Sequence, residues 1–343
     1  MNVPQTQTQT QTPPATDRTD REDRTHRLVA TPAGRIHLVE QGTGPLVLLV
    51  HGFPESWYSW RHQLPALAAA GYRAVAVDVR GYGRSSRPQE SAAYRMLDLV
   101  EDNAAVVRAL GEETAVIVGH DWGATIAAHS ALVRPDVFRA VGLLSVPYTP
   151  PGGPRPGEVF AGMGGDEEFY VSYFQEPGRA EAEIEPDVRG WLAGFYAALS
   201  ADTMPGPDAP DPHFVSRGGR LRDRFPVGRL PGWLGERDLD VYAEEFERTG
   251  LTGALSRYRA MDRDWEDLNP GFTGAPITQP SLFVGGALDA STTWLADAIA
   301  AFPGTLPGLR SSHVLDGCGH WVQQERPTEV NRLLTEWLAG LPD

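Results

Sequence analysis

Apolar residues in this chain fall into short continuous runs and into stretches where they recur every three or four positions. The continuous runs are typical of buried β-strands, and the spaced stretches of amphipathic helices. Strands are predicted at 45–52, 72–81, 114–120, 139–147, 279–286 and 311–317. Helices are predicted near 97–110 and at 122–133, 292–302 and 327–341. This alternation predicts an α/β fold, with a mostly parallel central sheet flanked by helices on both faces.

Three segments depart from the simple alternation. "RIHLVEQG" (35–42) is predicted to form a hairpin with the strand at 45–52. Residues 1–26 are rich in Gln, Thr and Pro and then densely charged, so we expect them to form a disordered tail. Residues 148–274 are rich in Gly, Pro, Trp, Tyr and acidic residues and contain amphipathic helical stretches.

The 148–274 block is predicted to be a mainly helical cap inserted into a core made of residues 27–147 and 275–343. In open α/β sheets, ligands bind outside the carboxyl ends of the strands. We therefore expect the cap to lie over those ends and to close a binding site there.

Composition and charge narrow the function classes. The 41% hydrophobic and 22% charged residues are typical of a soluble globular protein, and no apolar run approaches the roughly 18 residues that span a bilayer. The first residues show no secretory signal pattern, and Cys318 is the single cysteine. We therefore expect a cytoplasmic protein.

A net charge of -15 argues against nucleic acid and anionic membranes as partners, because both require a basic face.

The stretch "VIVGHDWGATIAA" (116–128) is typical of a strand, a sharp turn and a helix, with Asp121 at the turn between Gly119 and Gly123. Alpha/beta-hydrolases place a serine nucleophile at such an elbow, in the pattern G-x-S-x-G. Small flanking residues are needed because the turn packs its backbone tightly. Asp121 is therefore a candidate nucleophile, although an aspartate there could instead cap the helix that follows.

The surrounding sequence favours the nucleophile. "HGFP" (51–54) follows a buried strand, where a hydrolase of this type places one oxyanion-hole donor, here the N–H of Phe53; the N–H of Trp122 would be the second. His320 lies between the last strand and the last helix, the chain position expected of the base. Asp289 follows a buried strand and is suited to orient that histidine. Asp121, Asp289 and His320 are the predicted triad.

A carboxylate nucleophile reacts with different substrates from those of a serine nucleophile. It displaces a good or strained leaving group from an sp3 carbon, which leaves an alkyl ester on the enzyme. Water activated by the histidine can then hydrolyse that ester while the two N–H groups hold the oxyanion. This chemistry excludes esterase, lipase and peptidase activity and leaves carbon–halogen bonds and epoxides. An epoxide oxygen becomes an alkoxide, so an epoxide would also require acids such as tyrosines in the cap.

Several longer motifs together resemble the soluble epoxide hydrolases of the alpha/beta-hydrolase superfamily. They are "HGFPESWYSWRHQ" (51–63), "DVRGYGRSSRP" (78–88), "GHDWGA" (119–124), "YFQEPGRAEAEIE" (173–185), "YRAMDRDW" (258–265) and "DGCGHWVQQERPTEVN" (316–331). The similarity extends over residues 27–340 and includes the cap. It implies Asp121 as nucleophile, His320 as base and Asp289 as charge-relay acid, with no cofactor and no metal.

The resemblance also implies two ring-opening phenols in the cap, Tyr170 and Tyr258. Tyr173, three residues beyond the first of them, is left open as its competitor because one helical face could hold both. The family also has a cis peptide bond at the position of Phe53 and Pro54, beside the oxyanion hole.

The expected substrates are a small apolar epoxide and water. Phe53, Pro54, Trp122 and Trp321 are the predicted contacts of the epoxide. The oligomeric state, the identity of the epoxide and the selectivity of its opening are left open by the sequence.

Two other functions remain as alternatives. A haloalkane dehalogenase would use the same aspartate, and Trp122 after it is compatible with halide binding. Such enzymes usually have a second donor, often Asn, where this chain has Phe53, and they need no pair of cap tyrosines. A non-enzymatic ligand receptor is the third possibility, because a fold alone does not establish activity. A receptor, however, has no evident need for a nucleophile, a base, an acid and two phenols together.

Overall fold

The computed structural model describes residues 24–206 and 208–342. Of the tail predicted at residues 1–26, residues 1–23 lie outside these ranges. Thr25 and His26, the last two residues of the predicted tail, belong to a strand, so the predicted boundary is wrong by two residues. Thr25 and His26 pair in register with the following strand, and this backbone pairing outweighs their polar character.

A mixed sheet forms the centre of the molecule. Within the described residues it has eight strands in the order β1-β2-β4-β3-β5-β6-β9-β10, and β7 and β8 form a separate antiparallel ribbon. The strands are β1 (Thr25–Thr31), β2 (Gly34–Gln41), β3 (Leu46–Val50), β4 (Arg73–Val77), β5 (Ala115–His120), β6 (Phe138–Leu144), β7 (Glu167–Phe169), β8 (Phe214–Ser216), β9 (Ser281–Gly286) and β10 (Leu309–Leu315). From β4 to β10 the neighbouring strands are parallel, so the predicted mostly parallel sheet is confirmed.

The hairpin predicted between 35–42 and 45–52 is wrong. β2 forms its hairpin with β1 instead and pairs antiparallel with β4 on its other edge, while β3 lies between β4 and β5. All five residues of β3 are buried, as is typical of a strand with parallel neighbours on both sides.

Helices cover both faces of the sheet and also make up most of the segment between β6 and β9. They are α1 (Gln63–Ala69), α2 (Met96–Ala109), α3 (Trp122–Val133), α4 (Pro156–Met163), α5 (Tyr170–Tyr173), α6 (Arg179–Ile184), α7 (Val188–Ala198), α8 (Glu236–Thr249), α9 (Thr252–Arg259), α10 (Met261–Phe272), α11 (Ala290–Trp294), α12 (Ala296–Ala300), α13 (Phe302–Thr305), α14 (Val322–Glu325) and α15 (Pro327–Ala339). Short 3-10 helices lie at Trp57–Trp60, Ser91–Tyr94, Glu185–Asp187 and Leu221–Arg224.

The helix predicted at 292–302 is not continuous. It is divided among α11, α12 and α13, because Leu295 leaves helical geometry at φ -104° and ψ 25°. Pro303 then begins a new turn, where its missing N–H costs no hydrogen bond.

The core consists of two apolar layers, one on each face of the sheet. Alternate residues of β3 enter opposite layers, as the period of a strand requires. Leu48 lies in the layer that contains buried residues of α2 and α3. Leu49 lies in the layer that contains buried residues of α1 and α15. This packing fixes the carboxyl ends of the parallel strands, where the candidate site lies.

The segment predicted as the cap contains α4 to α10 and the β7–β8 ribbon, which the sequence did not indicate. Its division from the core at residues 148 and 274 stays a prediction. The segment bonds directly to the loop after β3: the Tyr196 hydroxyl donates to the carbonyl of Pro54 at 2.5 Å, and that of Tyr58 donates to Asp238 at 2.8 Å.

We predict that Gly123→Ala destabilises the protein. A Cβ at Gly123 would overlap the backbone carbonyl of Val50, and backbone cannot rotate away as a flexible side chain can. The expected loss in the free energy of unfolding is about 1–3 kcal/mol or more, as for other overpacked positions. Urea denaturation measures it.

Gly162→Ala is the matched control, since Gly162 lies in exposed helix α4 and a Cβ there would meet no described atom within 4 Å. That variant should gain stability, because alanine favours a helix more than glycine does. Equal stability of Gly123→Ala and the native chain would contradict the tight packing.

Candidate active site

The turn between β5 and α3 holds Asp121 in a strained backbone conformation. Its φ of 53° and ψ of -123° lie where residues with side chains are rarely found. Gly119 and Gly123 approach each other so closely that a Cβ on Gly119 would overlap the backbone of Gly123. The turn therefore has the shape of a nucleophile elbow, which presents its central side chain at the edge of the sheet.

The carboxylate of Asp121 faces the loop after β3 and the base. Its Oδ1 accepts a hydrogen bond from the N–H of Phe53 at 2.8 Å, and its Oδ2 lies 3.5 Å from Nε2 of His320. With the described residues the side chain makes no helix-capping bond. The capping alternative raised by the sequence is therefore not supported.

His320 and Asp289 form a buried pair behind the nucleophile. Nδ1 of His320 lies 3.1 Å from Oδ1 of Asp289, so the Nε2 side of the ring is turned toward Asp121. The same Asp289 oxygen accepts the N–H of Ser291 at 3.0 Å, which fixes the carboxylate at the start of α11. The structure thus brings the three predicted triad residues together.

The two carboxylates control the charge of the histidine. Burial disfavours the charged ring, but Asp289 and then Asp121 outweigh it and raise the pKa of His320 well above its usual range. Burial likewise opposes ionisation of Asp289, yet the pKa of this carboxyl is lowered by His320. The resting site therefore favours an imidazolium between two carboxylates.

Ser145 is a site residue that the sequence analysis missed. It directly follows β6, and its Oγ lies 2.5 Å from Oδ2 of Asp289 and 3.0 Å from Nδ1 of His320. One signal could have found it: a polar residue that ends a buried strand beside the strand that precedes the acid.

A buried carboxylate beneath the site, Glu55, was also missed. It accepts hydrogen bonds from the N–H of Gly52 and from the side chains of Gln323 and Gln324, and it lies 2.8 Å from Nδ1 of His120. Burial opposes its charge, but His120 and its hydrogen bond prevail and lower the pKa of Glu55 to about 2. Nε2 of His120 donates in turn to the carbonyl of His320 at 2.8 Å.

One cavity joins the candidate catalytic groups. Asp121, His320, Phe53, Tyr170 and Tyr258 all line it. The two tyrosine rings lie 6.1 Å apart between centroids, at an angle of 78°. Burial raises the pKa of both phenols, and the charge of Asp121 adds to the effect, so both hold their protons at neutral pH.

Tyr173, the competitor of Tyr170, is turned away from this cavity. Its hydroxyl donates to Glu183 at 2.5 Å, and the guanidinium of Arg179 lies 3.7 Å from the centre of its ring. This hydroxyl is already bound to Glu183, and neither residue lines the cavity, whereas Tyr170 does.

The predicted substrate contacts are only partly placed at the cavity. Phe53 lines it, and the bond between Phe53 and Pro54 is cis, as the resemblance implied. Among the described residues, however, Pro54, Trp122 and Trp321 are not part of its wall. The indole of Trp321 is fully buried and donates to the carbonyl of Tyr196 at 3.2 Å. Contact of Pro54, Trp122 and Trp321 with substrate stays a prediction.

The cavity wall comes instead mainly from residues that no motif singled out: Phe195, Leu199, Pro212, His213, Leu221, Phe225 and Trp294. Four of these lie in the stretch from 205 to 233, which matches no recognised motif. His213 and Trp294 are in contact at 4.6 Å between ring centroids and also line an outer cleft of about 330 Å³. The cavity therefore continues toward the surface between the cap segment and α11.

Across residues 24–206 and 208–342, no group of three or more His, Cys, Asp or Glu side chains is arranged to hold a metal ion. No helix in the described part of the chain has the length and apolar character needed to cross a membrane.

Comparison with known proteins gives consistent matches. A family model described as the alpha/beta hydrolase fold matches residues 45–327. Epoxide hydrolase B of Mycobacterium tuberculosis is 42% identical over 92% of this chain and 98% of its own length. The structure of an epoxide hydrolase from an endophytic Streptomyces matches with a TM-score of 0.91 and 72% identity, over 93% of this chain and 96% of that one. Epoxide hydrolase A from Mycobacterium thermoresistibile matches with a TM-score of 0.87 and 44% identity, over 93% and 99%.

We predict that Asp121→Asn lowers the pKa of His320. The carboxylate 3.5 Å from Nε2 favours the charged ring, and a neutral amide removes that attraction, so the imidazolium should lose its proton at a lower pH. The midpoint can be followed by NMR of the His320 ring in both proteins.

Asp136→Asn is the control, because this surface carboxylate pairs with Arg134 at 2.7 Å and does not contact the histidine. It should leave the midpoint of His320 unchanged. An unchanged midpoint in Asp121→Asn as well would show that Asp121 does not influence the base.

Proposed function

The chain belongs to the epoxide hydrolases of the alpha/beta-hydrolase superfamily, and on that premise we propose that it opens a small apolar epoxide to a vicinal diol through an ester on Asp121. The observation that carries this proposal is one cavity lined by a carboxylate at an elbow, a histidine and two phenols. A carboxylate nucleophile suits an sp3 carbon, and protonated phenols suit an oxygen that leaves as an alkoxide.

Ring opening starts at Asp121. Its Oδ2 attacks an epoxide carbon while the C–O bond of the ring breaks, and Tyr170 or Tyr258 donates a proton to the departing oxygen. Oδ1 stays on the N–H of Phe53 at 2.8 Å, so the carbonyl of the new ester already lies at one oxyanion donor. The N–H of Trp122 is proposed as the second donor.

Ester hydrolysis then depends on His320. Esterification removes the negative charge of Asp121, and with it one of the two carboxylates that hold the proton on the ring. The imidazolium can then pass its proton to the phenolate left by ring opening, which restores the phenol. The neutral ring accepts a proton from water at Nε2 while that water attacks the ester carbonyl. The adduct collapses to the carboxylate and the diol as its hydroxyl proton passes to the departing alkoxide, and His320 is again an imidazolium.

The haloalkane dehalogenase alternative is less well supported by the site. A halide leaving group needs no proton, so the phenols of Tyr170 and Tyr258 would have no task in it. The role of water as second substrate and the cytoplasmic location expected from the sequence stay predictions.

We predict that Tyr170→Phe and Tyr258→Phe each slow ring opening by roughly 10- to 1000-fold, and the double variant by more. A lone general acid contributes about 10²–10⁴, and the remaining phenol compensates for part of each single loss. Single-turnover formation of the alkyl-enzyme from an aryl epoxide measures the step.

Tyr173→Phe is the matched control, because it removes a phenol that is bound to Glu183 and lies outside the cavity. Its ring-opening rate should equal that of the native enzyme. Bromide release from a bromoalkane by an enzyme that leaves epoxides intact would replace the proposal with the dehalogenase.

A further inference from the structure

Ser145 is held in an unusual place at the carboxyl edge of the sheet. It follows the last residue of β6, is fully buried and has a φ of 71°, in the left-handed region. Its N–H donates to the carbonyl of Val284 on β9 at 2.9 Å. The residue therefore spans two neighbouring parallel strands, one of which leads directly to Asp289.

The hydrogen of the Ser145 hydroxyl can be assigned from its two partners. Oδ2 of Asp289, at 2.5 Å, belongs to an ionised carboxylate, which only accepts. The single hydroxyl hydrogen must therefore point to Asp289. Oγ is then left with lone pairs toward Nδ1 of His320, at 3.0 Å, so Nδ1 carries a hydrogen and donates.

These bonds close a triangle. The Nδ1–H of His320 is shared between Oγ of Ser145 and Oδ1 of Asp289, while the other oxygen of that carboxylate is held by the serine. The rotation of each of the three side chains is therefore restricted. Charge-assisted hydrogen bonds of this kind are about twice as strong as neutral ones.

We infer that Ser145 is a positioning residue of the base, which fixes the ring of His320 so that an unprotonated Nε2 faces the ester on Asp121. This inference rests on the proposed ester mechanism. It assigns to Ser145 an effect on ester hydrolysis and not on ring opening, because Asp121 attacks the epoxide without a base and the phenols supply the proton.

Removal of the hydroxyl is therefore expected to separate the two half-reactions. In Ser145→Ala and Ser145→Gly, decay of the alkyl-enzyme should slow by about 10- to 100-fold, the size expected for loss of a hydrogen bond to a charged partner. Its formation should keep the native rate. The ester would consequently accumulate during turnover of an aryl epoxide, and the KM would fall together with kcat.

Comparison of the two Ser145 variants separates the effect of losing the hydroxyl from the effect of backbone strain. Glycine adopts a φ of 71° more readily than alanine does, so any loss caused by backbone strain would appear in Ser145→Ala alone. Ser281→Ala is the control for loss of a buried hydroxyl, since Ser281 on β9 is fully buried and its Oγ has no hydrogen-bond partner within the described residues.

The test is rapid-quench mass spectrometry of the peptide that contains Asp121, with one substrate equivalent, in the native enzyme and these three variants. Slow ester decay in both Ser145 variants, with normal ester formation and a normal Ser281→Ala, supports the inference. Native decay in Ser145→Gly, or equal slowing of both half-reactions, overturns it. Absence of any ester in the native enzyme would refute the proposed function itself and this inference with it.

Discussion

The site depends first on a close contact between backbones. The first turn of α3 lies against the carboxyl end of β3 so tightly that no side chain fits at Gly123. This contact holds Asp121 at a φ of 53° and brings its Oδ1 within 2.8 Å of the N–H of Phe53. Nucleophile and oxyanion donor are thus positioned by the same packing, before any substrate arrives.

Buried polar groups connect the oxyanion-donor loop to the segment that holds the base. Glu55 joins the loop of Phe53 to the helix after His320, and His120 connects it to the base. Such groups are costly to bury unless all their hydrogen bonds are made. They therefore fix the loop after β3, the end of β5 and the segment around His320 in one arrangement. The cap segment is added to this frame through Tyr196, which bonds to the loop beside the oxyanion donor.

The features of the fold that depend on local sequence pattern could be predicted from the sequence. The parallel sheet, the long helices α2, α3 and α15 and the elbow were predictable because continuous apolar runs and paired glycines have few other uses. Strand pairing near the edge of the sheet was predicted wrongly, since β2 pairs on both sides, with β1 and β4, and its local pattern does not specify which strands these are. Ser145 has one local signal, a polar residue directly after a buried strand, but only the tertiary fold brings it to the triad. The wall residues His213 and Phe225 have no local signature, because only the tertiary fold brings them to the cavity.

The claim that Asp121 forms an ester with the substrate is tested most directly by one turnover in oxygen-18 water. Excess enzyme is mixed with a racemic aryl epoxide and quenched, and the diol and the peptide that contains Asp121 are analysed by mass spectrometry. The account predicts an unlabelled diol, whose new oxygen comes from the carboxylate, and label in Asp121. A labelled diol in this first turnover would mean direct attack by water and would contradict the account.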